Sequence, residues 1–170
     1  MGLQITALIM CALCSQVDDS HLAKYIRSNG QLTQRLIVQD AQSGAIGRAG
    51  YELAIEPDGG WIKTQFWGEK RRKELAHGKL SANELSELAH VLADQKADEL
   101  PREFGLTNAT LNPNPRYLSL TFGNGRSESL LPPSTDLTTY LGTASPNERD
   151  YIRRLDTVLT EIKRVAGGMP

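Results

Sequence analysis

The sequence predicts an α+β fold, with a mainly antiparallel sheet of about five to six strands and two helices packed on one face. Three observations indicate this class. Extended segments come in pairs joined by tight turns, no helical crossover separates the paired segments, and each of two capped helices follows such a pair. Tight turns join antiparallel neighbours, whereas parallel strands need long crossovers.

The first strands are predicted from short apolar runs. Residues 32–39 include three consecutive large aliphatic side chains and form the first predicted strand, which ends at the flexible residues 43–47. Residues 51–55 alternate apolar side chains with polar or small ones, which is the period of a half-buried strand. A Pro-Asp-Gly-Gly turn at 57–60 leads into the extended residues 61–67, so these two runs form a predicted hairpin.

A charged segment and a helix follow this hairpin. Residues 69–74 are all charged, and a short strand is predicted around residues 75–80. Ser81 and Glu84 then form a capping box, because the serine oxygen accepts from an early backbone amide while the glutamate reaches back to the cap. The helix that begins here carries apolar residues at helical spacing and ends before Pro101.

A long loop, a second hairpin and a second helix complete the chain. Residues 101–116 form a predicted loop rich in proline and asparagine. Residues 118–122 alternate apolar and polar side chains, and a Gly-Asn-Gly turn joins them to residues 126–131. After another loop over 131–145, a capping box with proline at the first helical position begins the last helix. Its apolar face consists of Tyr151, Ile152, Leu155, Val158, Leu159, Ile162 and Val165.

The composition fits one folded domain and gives no reason to expect a nucleic-acid partner. At 170 residues the chain can bury a hydrophobic core without metals or disulfides. Its 39% hydrophobic and 23% charged residues are ordinary for a globular protein. The 19 Lys and Arg residues face 20 Asp and Glu residues, so no net field attracts nucleic acid.

The N-terminal segment is predicted to be a signal peptide over residues 1–16, ahead of one globular domain over 17–170. Its apolar run is too short for a transmembrane span and ends in small residues, although no Lys or Arg precedes it. A mis-assigned start codon and a buried strand or helix remain as alternatives. Because Cys11 and Cys14 both lie in or beside this run, cleavage leaves no thiol for a disulfide. The predicted location is periplasmic or secreted.

The chain has no motif for catalysis or for a cofactor. Its three histidines, His21, His77 and His90, lie outside known motifs, and none pairs with another one helical turn away, as a metal site often requires. The chain also lacks the Gly-x-Ser-x-Gly elbow of serine hydrolases and the spacing of a phosphate loop. The sequence therefore assigns no catalytic residue, metal ligand or cofactor and leaves enzymatic activity open.

Aromatic and basic residues lie close together between positions 61 and 77, and they give the candidate binding residues. Such a combination can stack on planar groups and hold an acidic partner. The alternative is that the tryptophans pack in the core and the basic run is a solvated loop. The candidates are Trp67, Arg71, Arg72 and His77.

Two segments resemble known proteins. Residues 51–60 read Tyr-Glu-Leu-Ala-Ile-Glu-Pro-Asp-Gly-Gly, and residues 78–88 follow the helix-entry pattern G-x-L-S-x-x-E-L-x-x-L. Together they resemble small exported bacterial α+β domains of unknown function, over residues 50–131. The resemblance implies a secreted or periplasmic α+β domain and brings no catalytic residues.

Three functions are consistent with this sequence. The first is a non-enzymatic exported binding domain that contacts another protein or an envelope component through the loops 101–116 and 131–145 or the edge 67–73. The second is an unrecognised hydrolase that uses His77 with a nearby carboxylate in a cleft. The third is a structural accessory module of an envelope assembly, for which we expect an exposed apolar patch.

Overall fold

A computed structural model describes residues 19–45, 47–68, 70–105, 114–131, 137–142 and 144–167. The predicted signal segment 1–16 lies outside these residues, as do parts of both predicted loops. The described residues form seven strands and three α-helices. In chain order these are α1 (Asp19–Leu22), β1 (Leu36–Gly44), β2 (Gly47–Ile55), β3 (Gly60–Trp67), β4 (Arg71–Lys79), α2 (Ala82–Asp94), β5 (Glu103–Gly105), β6 (Arg116–Phe122), β7 (Gly125–Leu131) and α3 (Pro146–Ala166).

The strands form one sheet in the order β4-β3-β2-β1-β6-β7-β5. Every neighbouring pair is antiparallel except β5 with β7. The α+β class and the mainly antiparallel sheet are therefore confirmed. The prediction of two helices is too low by one, because the four residues of α1 are too few to show a helical period in the sequence. The prediction of five to six strands is too low by at least one, because β5 lies within the predicted loop 101–116. Its three residues are too few to show a period in the sequence.

The core lies between one face of the sheet and the two long helices. Leu36 is opposite Ile55 and Val38 is opposite Leu53, so these four side chains share a face. They belong to one buried cluster with residues of both helices, which places α2 and α3 on the same side of the sheet. The helices contribute Leu85, Leu88, Ala89, Leu92, Tyr151, Ile152, Leu155, Val158 and Ile162.

Both predicted capping boxes are present. The Ser81 hydroxyl accepts from the Glu84 amide at 3.3 Å, and the Glu84 carboxylate accepts from the Ser81 amide at 2.7 Å. Ser145 and Glu148 make the same exchange at the start of α3. Gly167, with φ of 73°, caps the C-terminal end of this helix. No helix in the described part of the chain combines the length and hydropathy needed to cross a bilayer.

Strand β4 begins earlier than the sequence indicates. The sequence predicts a charged segment over 69–74 and a strand only from about residue 75, but β4 already begins at Arg71. Its pairing with β3 extends from Trp67 opposite Arg71 to Gly60 opposite Lys79. Cross-strand pairing therefore outweighs the poor strand propensity of a basic run.

Candidate binding surface

Strand β4 forms one edge of the sheet. Its inner side pairs with β3, and no strand among the described residues pairs with its outer side. It is nine residues long, whereas β5 at the opposite edge has three. The backbone N–H and C=O groups on the outer side of an edge strand are available to another chain. β4 is the longer of the two free edges.

The edge strand is also the place where positive charge is concentrated. Its nine residues include one carboxylate, Glu74, and four cations, which are Arg71, Arg72, Lys73 and Lys79. The whole chain, in contrast, has a net charge of -1. Seven of the nine residues are exposed. The strand therefore presents a local positive potential that the overall charge does not reveal.

Two of these cations have no carboxylate partner in the described part of the chain. Arg72 pairs with Glu52 at 2.8 Å, and Lys79 pairs with Asp58 at 3.1 Å. No ion pair among the described residues involves Arg71 or Lys73. These two side chains are available to an external anion.

Exposed apolar side chains occur on the same two strands, β3 and β4. Among the described residues the exposed large hydrophobic side chains are Ile62 of β3 and Leu75 of β4, at 44% and 39%. The register shifts between Lys63 and Thr64, whose partners are Ala76 and Glu74, so Leu75 is an extra residue in a β-bulge. The edge thus offers apolar contact area as well as charge.

The four predicted binding residues all lie on β3 or β4, but on two faces of the sheet. Trp67 is opposite Arg71, on the side of the helices. Arg72 is opposite Phe66 and His77 is opposite Ile62, so both side chains point to the other face of the sheet. No helix in the described part of the chain covers that face. The structure therefore brings the four residues to one edge and does not gather them into one pocket.

His77 has a carboxylate neighbour, as the hydrolase hypothesis requires. Its Nδ1 lies 2.7 Å from Oε1 of Glu74. The His77 side chain is 74% exposed, and the pair lies along the edge strand, which water reaches freely. General-base chemistry gains most in a site that excludes water. The pair has the exposure of a surface contact and lacks a site that excludes water.

The uncovered face contains a buried carboxylate that the sequence does not reveal. Glu52 is 8% exposed, although its alternation with Leu53 predicts an outward, solvated position. Gln39 Nε2 donates to it at 2.6 Å and Arg72 Nη1 at 2.8 Å. Burial opposes its ionisation, but these hydrogen bonds outweigh burial and lower the pKa of Glu52. Glu52 thereby holds Arg72 against the sheet.

A second network on the uncovered face joins β2 to β7. Arg48 of β2 donates to both oxygens of Glu128 in β7, at 2.9 and 3.1 Å, and its guanidinium lies 3.6 Å from the centre of the Tyr117 ring. Burial opposes ionisation of Glu128, yet bonds from Arg48 and Arg126 lower its pKa. Because β1 and β6 separate β2 from β7, this ion pair indicates that the face is concave here.

Two other features have the composition of a ligand site. A cavity of about 400 Å³ lies between β1, β6 and α3, and its lining includes the Asp40–Arg116 ion pair and Lys163. His21, Asp98 and Glu99 could offer three metal ligands, since their atoms lie within 4.8 Å of one another. Asp98, however, already pairs with Lys24 at 2.9 Å and accepts from the buried Tyr25 hydroxyl. Neither feature shows which ligand it would hold.

The lowered pKa of Glu52 predicts a pH dependence of stability. A carboxylate with a folded-state pKa below its ordinary value of 4.5 stabilises the fold above that pH, and this contribution is lost as pH falls through the folded-state pKa. Between about pH 5 and pH 3, we expect the unfolding free energy of Glu52→Gln to fall less than that of the wild type, as measured by urea denaturation. Asp94→Asn, at the exposed end of α2, is the control. An equal acid sensitivity in wild type and Glu52→Gln would contradict the assignment.

Comparison with known proteins assigns no relative to this chain. No family model matches the sequence, and no curated protein matches it either. The resemblance to small exported bacterial domains therefore stays a prediction.

Proposed function

We propose that this chain is a non-enzymatic, exported bacterial binding domain that holds another protein or an envelope component on the β4 edge. One observation carries the proposal. The long edge strand β4 carries Arg71 and Lys73, which pair with no carboxylate among the described residues, together with the exposed Leu75, and Ile62 of the neighbouring β3 is exposed on the opposite face of the sheet. Charge and apolar area together are the ordinary composition of a protein-recognition surface.

The other two functions have less support. The hydrolase hypothesis rests on the His77–Glu74 contact, which is exposed along a strand edge. For a structural module we expect a broad exposed apolar patch. Ile62 and Leu75 instead lie among charged side chains.

Export to the periplasm or the medium is part of the proposal and rests on the apolar run in residues 1–16. The intact mass of tagged protein recovered from a periplasmic extract tests it. Loss of residues 1–16 supports export. An uncleaved chain retained inside the cell would contradict it.

Charge reversal on β4 tests the binding surface. Random peptides displayed on phage would be selected on the immobilised full chain, and the enriched peptides then measured against variants. We expect Arg71→Glu combined with Lys73→Glu to weaken their binding by about tenfold or more, because opposed charges become like charges.

A matched control keeps the same change in net charge. Arg153→Glu combined with Lys163→Glu alters two exposed cations of α3, and Lys163 also borders the cavity beside that helix. We expect these substitutions to leave peptide binding unchanged. Failure to enrich any peptide, or equal binding to the β4 variant and wild type, would contradict the proposed function.

A further inference from the structure

We infer that the partner contributes an extended acidic segment, which pairs with β4 as an additional strand of the sheet. This inference rests on the proposed function and specifies how the same edge is used. Strand addition combines main-chain hydrogen bonds, which supply affinity, with contacts to alternate side chains, which supply specificity. β4 offers both an outer row of backbone hydrogen-bonding groups and side chains at alternate positions.

The backbone of β4 satisfies the first requirement. Its nine residues are extended and paired with β3 along their length, apart from the bulge at Leu75. The strand is therefore held in the conformation that an incoming segment needs. A segment that pairs with a preformed edge orders only its own backbone, which limits the entropic cost of association.

The spacing of Arg71 and Lys73 indicates the sequence of the segment. Arg71 and Lys73 are two residues apart, so their side chains lie on the same face of the strand. Opposed residues of neighbouring strands bring their Cβ atoms to within about 5 Å of one another. Carboxylates at alternate positions of the incoming segment would therefore lie opposite these two cations.

The same charges disfavour a second copy of this chain as the occupant. Two β4 strands paired edge to edge would bring arginine and lysine side chains of both copies together, and like charges on opposed strands are destabilising. The bulge at Leu75 also interrupts a regular edge, a feature that protects natural sheets from self-association. An acidic segment of a different protein fits the edge better than β4 itself.

Synthetic peptides test strand addition directly. The probe is a labelled peptide of about nine residues that alternates glutamate with threonine, titrated with the full chain by fluorescence anisotropy. Two comparison peptides differ in one property each. One carries a methyl group on every backbone amide, and the other replaces glutamate with lysine. We expect the methylated and lysine peptides to bind about tenfold more weakly or worse, because they lack main-chain donors or carboxylates respectively.

The outcomes separate this inference from the proposed function. Equal binding of the methylated and unmethylated peptides would overturn strand addition, while the charge-reversal result on phage-selected peptides would still support binding at β4. Equal binding of the lysine peptide would overturn the acidic preference. Absence of any binding by the glutamate peptide would overturn the inference, and the phage-selected peptides would then decide whether the binding function survives.

Discussion

Replacing Gly50 with alanine is expected to destabilise the fold by about 3 kcal/mol or more, because the new methyl group has no room. A Cβ atom at this position would lie 2.1 Å from the Asp40 carbonyl oxygen and 2.6 Å from the Ala41 Cα. These atoms belong to the backbone of β1, which pairs with Gly50 in the middle of the sheet. Relief would therefore require β1 and β2 to separate. Urea denaturation followed by circular dichroism measures the loss.

Gly44→Ala is the matched control for this substitution. Gly44 is the last residue of β1, the strand that pairs with Gly50. A Cβ at Gly44 would meet only the Gly47 carbonyl oxygen, at 3.9 Å, which is an ordinary contact. We expect this variant to unfold at nearly the wild-type urea concentration. Equal stability of the Gly50 and Gly44 variants would show that β1 and β2 do not approach each other as closely as described.

Replacing Leu88 with alanine is expected to cost about 2–5 kcal/mol of unfolding free energy, the range for a leucine truncated in a packed core. Leu88 is completely buried in the cluster that joins α2 to the sheet. Alanine favours the helix itself slightly more than leucine does, so the loss reports on packing rather than on helix propensity. The same denaturation measurement applies.

His90→Ala provides the control in the same helix. His90 lies two residues further along α2 and is exposed, so its removal leaves no cavity. We expect a change within about 0.5 kcal/mol, as for most surface substitutions. A large loss at His90, or a small one at Leu88, would contradict the orientation of α2 on the sheet.

The sequence predicts those features that depend on neighbouring residues. The capping boxes at Ser81 and Ser145 are complete within four residues each, so both helices begin where expected. The hairpins also follow local signals, since the glycines of their turns lie between alternating runs. Gly59 and Gly123 have positive φ, which explains why glycine marks these turns.

Features that depend on distant residues could not be predicted in this way. Arg71 belongs to a strand because β3 pairs with it, although its own segment suggests a charged loop. Glu52 is buried because Gln39 and Arg72 reach it from other strands. Strand β5 is parallel to β7, a pairing for which three residues carry no sequence signal.

The candidate binding surface also combines features that the sequence predicts with features that depend on distant residues. Composition alone identified the basic and aromatic residues between Trp67 and His77. Their separation onto two faces, the edge position of β4 and the availability of Arg71 and Lys73 all depend on strand order and register. The sequence therefore indicates where charge is concentrated. Which of the charged side chains are accessible depends on the strand order and register of the sheet.

Hydrogen exchange of the full chain, with and without a phage-selected peptide, tests the binding surface most directly. We predict slower amide exchange along β4 in the complex, since its outer backbone groups would become paired. Unchanged exchange in β4, with protection instead at β1, β6 and α3 around the Asp40–Arg116 cavity, would contradict the proposal and place binding at that cavity.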